Sequence, residues 1–108
     1  MSLADADIAF AKELFSDIPD LSTRKMFGGL GLYSAGVIFG VMRSDSVILI
    51  KAHKGPFADR LAQLGCTLWT TTRKNGNISS MPYWSLPEAA LDDPEAACAL
   101  ARDALDAL

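Results

Sequence analysis

Arg24-Lys25-Met26-Phe27-Gly28-Gly29-Leu30-Gly31-Leu32-Tyr33, then Ser34-Ala35-Gly36, then Val37-Ile38-Phe39-Gly40-Val41-Met42, then Arg43-Ser44-Asp45-Ser46, then Val47-Ile48-Leu49-Ile50-Lys51 is the stretch whose reading decides the fold. Three apolar runs of strand length are parted by two short polar or glycine-containing turns. Connections this short suit antiparallel neighbours, so the stretch reads as a three-stranded antiparallel meander. The first strand region extends back to Leu21, and Gly28-Gly29-Leu30-Gly31 interrupts it. Glycine inside a strand marks a bulge or a close backbone approach. A bulge here would let one continuous segment bend and serve as two lengths of edge.

A phosphate cradle is the functional alternative for these glycines, and it fails on two counts. Gly29-Leu30-Gly31-Leu32-Tyr33-Ser34 lacks the last glycine of the dinucleotide fingerprint, and a strand follows where a helix is needed. Gly31 to Gly36 has the length of a P-loop, but Val37-Ile38 stands where Lys and Ser or Thr belong.

In the second run Val37, Phe39 and Val41 share one face, while Ile38 and Met42 take the other. In the third, Ile48 and Ile50 oppose Val47, Leu49 and Lys51. Strands apolar on both faces are covered on both faces. Helices supply one cover; the other calls for a loop or a second subunit, which makes a homodimer one expected solution.

Outward from the meander the periodicity changes. Ile8, Ala11 and Phe15 repeat at helical spacing over Asp5 to about Asp17, with Asp5 and Asp7 at the positive end of the dipole and Pro19 closing the segment. Gly55-Pro56 opens a second helix, with Phe57, Leu61 and Leu64 as its buried stripe and Gly65 as its stop. Cys66 to Thr72 and Asn77 to Met81 read as two strands joined at Arg73-Lys74-Asn75-Gly76, with the second ended or bulged by Pro82. Asp92 or Asp93 caps a last helix, Pro94 takes its first position, and Ala97, Ala101, Ala104 and Leu108 form a small-residue stripe. The expected fold is α+β and two-layered, a five-stranded antiparallel sheet with helices packed on one side in the order α-β-β-β-α-β-β-α.

Residues 1–108 suffice for one domain, and the apolar fraction of 50% is high for it. No apolar run reaches the length of a membrane span, and the acidic start lacks the layout of a signal peptide, so a cytoplasmic protein is expected. Cys66 and Cys98 form no CxxC pair and read as free buried thiols. The net charge of −3 conceals segregation. Residues 21–85 hold Arg24, Lys25, Arg43, Lys51, Lys54, Arg60, Arg73 and Lys74 against Asp45 and Asp59, whereas the flanks hold eleven of the thirteen acids. Acidic terminal helices flanking a basic sheet explain this, as does a basic sheet surface that binds an anionic partner.

The chemistry is sparse. His53 is the one histidine and has no partnered nucleophile or ligand set. Asp92, Asp93 and Glu95 could suggest a metal, but helix capping accounts for them. No catalytic residue, cofactor or metal ligand is assigned from the sequence.

Arg24-Lys25-Met26-Phe27-Gly28-Gly29, Gly31-Leu32-Tyr33, Gly36, Phe39, Leu49 to Lys51, Met81-Pro82-Tyr83-Trp84 with Pro87, and Asp93-Pro94 together resemble the N-terminal domain of the TfoX/Sxy family, over about residues 5–107. The resemblance implies a bacterial regulatory protein without enzymatic activity, with a fold similar to that of secretion chaperones. Family members act as positive regulators of natural competence, working with a transcription factor, the cyclic-AMP receptor protein. Full-length regulators carry a second, C-terminal domain, and residues 1–108 correspond to the N-terminal one alone.

The function expected first is a protein-interaction module, with Arg24, Lys25, Phe27, Gly28, Gly29, Lys51, Tyr83 and Trp84 as the partner-binding set. The second is direct nucleic-acid binding by the basic sheet with its aromatic residues as stacking groups; the acidity of the flanks argues against it. The third is a small-molecule site, which the lack of any acid/base or nucleophile constellation disfavours.

Overall fold

The computed structural model describes residues 4–26, 28–72 and 74–107. Helix α1 spans Asp5–Leu14, and the Asp7 carboxylate accepts the Ala4 backbone amide at 3.2 Å in its first turn. It stops one turn short of the expected Asp17. Ala11, Leu14 and Phe15 are buried, and Ile8 packs against them.

The principal correction lies at the glycines. Leu21–Met26 and Gly29–Ser34 are two strands, β1 and β2, not one bulged strand. They pair antiparallel from Leu21↔Ser34 to Met26↔Gly29. Between the two strands Gly28 takes a φ of 78°, the left-handed region that glycine adopts at little cost and tight turns favour. Gly29 answers a different need: a Cβ there would lie 2.4 Å from the Met42 carbonyl oxygen of the neighbouring strand. Tight pairing thus requires glycine at both positions, for separate reasons.

The remaining elements are β3 (Val37–Met42), β4 (Ile48–Lys51), α2 (Pro56–Gln63), β5 (Leu68–Thr72), β6 (Ile78–Ser85), a single 3-10 turn at Glu88–Ala90, and α3 (Pro94–Asp106). Among the described residues the sheet therefore has six strands rather than five, all antiparallel, in the order β1-β2-β3-β4-β6-β5. The α+β class and the antiparallel sheet agree with the sequence; the extra strand comes from the hairpin turn.

A bulge does occur, one strand further on. Leu32 pairs with Gly40 and Tyr33 with Ile38, which leaves Phe39 unpaired between them. The extra residue resets the alternation, so the faces expected for β3 are wrong in part. Phe39 turns toward the helices and meets Phe15 edge-on, with ring centroids 5.4 Å apart. Met42 joins the same core, while Val41 does not and Val37 is exposed.

The core on the helix side unites Leu30, Leu32, Phe39, Met42, Ile48 and Ile50 of the sheet with Phe15, Leu61 and the stripe Ala97, Ala101 and Ala104 of α3. The small residues let α3 approach the sheet closely. Asp93 caps α3, accepting the Ala96 amide at 3.3 Å. On α2 the buried pair is Ala58 and Leu61, and Leu64, expected in the stripe, is exposed. Cys66 and Cys98 are free and buried. Among the described residues, no helix is long and apolar enough to cross a membrane.

Candidate functional site: the open face of the sheet

Cross-strand partners share a face, so the ladder sorts side chains into those that meet the helices and those that point away. The row Arg24–Gly31–Val41–Leu49–Ser85 points away, as do Met26 with Gly29, Tyr33 with Ile38, and Lys51 with Tyr83. Val41 and Leu49 are 8% and 1% exposed, yet neither belongs to the helix-side core. The middle of the second face, at Val41 and Leu49, is therefore buried within a single chain, where the sequence expected a loop or a second subunit as cover.

The β5–β6 hairpin shapes that cover. Its register shifts between Leu68 and Thr70, so that Trp69 has no direct partner opposite Met81-Pro82-Tyr83. Pro82 lacks an amide and suits the irregular segment. The Trp69 and Tyr83 rings meet edge-on at 6.4 Å. On the other side, Arg43 lies 5.7 Å from the centroid of Trp69. The same guanidinium grips Asp45 through two bonds of 3.0 and 2.7 Å, which pins the β3–β4 turn at this end.

Between these walls lies a cavity of about 520 Å³. Its apolar lining includes Met26, Ile38, Val41, Trp69, Met81 and Tyr83, with Arg43, Ser44 and Asp45 at one margin. Gly29 lies in its lining. A Cβ at Gly31 would lie 2.8 Å from a ring carbon of Tyr33 and 3.0 Å from the Met26 methyl, so these two side chains fold down over that glycine. Met81 is 37% exposed although apolar. A volume of this size suits a small molecule or one or two large side chains of a partner.

The electrostatics are one-sided. The six strands carry Arg24, Lys25 and Lys51 and no acid. Arg24 and Lys51 are on the open face, Arg24 with its guanidinium 5.5 Å from the Tyr33 ring centroid. Asp45 is the acid at the groove, and the Arg43 hydrogen bond holds its carboxyl below the usual value. Burial, with a smaller push from Tyr33, raises the Tyr83 hydroxyl above the ordinary phenol range, so it is neutral at physiological pH.

The residues expected to bind a partner do not form one patch. Arg24, Gly29, Lys51 and Tyr83 share the open face, with Arg24 on β1 separated by two strands from Lys51 on β4. Gly28 serves the hairpin turn. Lys25 pairs with Leu30 and Trp84 with Ile50, which places both on the opposite face, Trp84 against the core. Phe27 lies outside the described residues. Met26, Ile38, Val41, Trp69, Met81 and the Arg43–Asp45 pair were missed. Their signal was present in the double-sided apolar pattern of the strands, but two bulges had to be located before it could be read as one surface.

The family model of the TfoX N-terminal domain matches residues 13–108. No curated protein matches the chain significantly.

Proposed function

The chain belongs to the TfoX N-terminal domain family, and from that premise we propose that it is a non-enzymatic regulatory module that binds a protein partner through the open face of its sheet. One observation carries this reading: an aromatic- and methionine-lined groove on the face that the helices leave free, with Arg24 and Lys51 elsewhere on that same face. Tryptophan, tyrosine and arginine dominate the energetics of protein interfaces, and methionine adapts to varied partner shapes. The residues around the groove suit binding better than bond-making. Arg43 and Asp45 neutralise each other, and Tyr83 is held protonated.

In the cell the partner is a transcription factor, and the role is regulation in the competence class. The cyclic-AMP receptor protein is the first candidate. Immobilised wild-type protein and its Met81→Asp variant are exposed to purified cyclic-AMP receptor protein and to bacterial lysate, after circular dichroism confirms that both are folded. The reading expects the variant to lose what the wild type retains. Retention of every bound protein by the variant would refute it.

A further inference from the structure

We propose that the groove's occupant is an acidic, amphipathic peptide segment of the partner: one or two apolar side chains enter between Met26, Trp69 and Met81, and flanking carboxylates meet Arg24 and Lys51. The inference rests on the docking-face reading above and adds the chemistry of the ligand.

Charge complementarity selects this occupant. The strands contain no acid, and the Asp45 carboxylate at the groove is already satisfied by Arg43 through two hydrogen bonds. Arg24 and Lys51 thus leave the open face cationic. A segment bearing carboxylates gains from that field, and a basic one is repelled. The apolar lining supplies the rest: Met81 is 37% exposed, and its removal from water together with Met26 and Trp69 would add binding energy in proportion to the area covered. A second copy docked face to face would bring two cationic faces together, which disfavours that occupant. A single-stranded nucleic acid would meet the cations, but its backbone needs a continuous basic track, whereas the strands put two cations, Arg24 and Lys51, on this face beside an apolar groove that phosphates leave unused.

The test uses the whole chain with Trp84→Phe, so that Trp69 alone reports by fluorescence. Three probes are titrated: a Leu/Glu peptide with Leu at i, i+3, i+4 and i+7, the Leu/Lys peptide of the same pattern, and an oligothymidine strand. The proposal expects the Leu/Glu peptide to bind and to shift the Trp69 emission. It expects the double variant Arg24→Glu/Lys51→Glu to weaken binding by about tenfold or more, since each changed site turns attraction into repulsion. Lys25→Glu makes the same charge change on the opposite face and should alter binding by less than about twofold. Equal or tighter binding of the Leu/Lys peptide overturns the proposal, as does tighter binding of oligothymidine. If the Leu/Glu peptide fails to bind while Met81→Asp still loses the protein partner, the acidic-segment inference falls and the docking face stands.

Discussion

Leu49→Ala is the substitution that tests most sharply whether one chain covers both faces of its sheet. Leu49 is 1% exposed, next to Ile50 at 0% in the same strand, and the two point to opposite sides. Ile50 packs in the helix-side core and provides the reference. Truncating a buried Leu or Ile to Ala costs about 2–5 kcal/mol, from lost transfer energy and the cavity left behind. Taking about 3 kcal/mol for each, and a urea slope of about 1.5 kcal/mol per molar for a chain of this size, each variant should unfold at a midpoint about 2 M lower. The assay is urea unfolding followed by circular dichroism at two protein concentrations tenfold apart. Equal losses for Leu49→Ala and Ile50→Ala, independent of concentration, are expected. A shift under about 0.5 M for Leu49→Ala alone would refute the self-covered face. A loss that grows on dilution would show that a second copy supplies the cover.

Gly29→Ala and Gly31→Ala should differ in kind. At Gly29 the added carbon meets the backbone oxygen of Met42, which cannot yield without parting β2 from β3, so destabilisation of at least about 2 kcal/mol is expected in the same urea assay. At Gly31 it meets the mobile ends of Tyr33 and Met26, so the fold should survive while partner binding falls; a full loss of the fold there would contradict the packing described. Asp45 should titrate below its ordinary value of 3.8 in a carboxyl NMR titration, and Arg43→Gln should bring it back up. Because the folded value is the lower one, the pair's contribution to stability is present above the unfolded pKa and fades as pH falls through the folded one. That contribution is small, since both side chains are solvated. Cys66 and Cys98 are both buried, and burial raises the Cys66 thiol further, so an aromatic disulfide reagent should react with neither until the chain unfolds; rapid reaction of the native protein would contradict this burial.

Local signals carried much of the fold. Pro94 after Asp93 announced the last helix, and alternation in β4 set Ile48 and Ile50 on the face opposite Leu49 and Lys51, as observed. What escaped was register. A glycine pair inside an apolar run is compatible with a bulge or with a tight turn, and only the partner strand decides; here the Met42 carbonyl forces Gly29 and the turn takes Gly28. Phe39 shows the same limit. Its alternation matched Val37 and Val41, but one extra residue in the ladder turned it toward Phe15 and left Ile38 and Val41 on the open side. The groove was illegible for that reason. It joins Met26, Ile38, Trp69 and Met81 from four strands, and their meeting depends on bulges that composition does not announce. Arg24, Lys51 and Tyr83 were readable as a basic, aromatic surface, whereas Lys25 and Trp84, each adjacent in sequence to one of these, point the other way because neighbours in a strand must.

Methyl NMR of methionine-labelled protein tests the account most directly. The captured partner is titrated in, and the Met26 and Met81 methyl signals are followed beside the indole signals of Trp69 and Trp84. Shifts or broadening at Met26, Met81 and Trp69, with Trp84 unmoved, are the predicted result. Perturbation of Trp84 and the helix side, with the three groove signals unchanged, would contradict it.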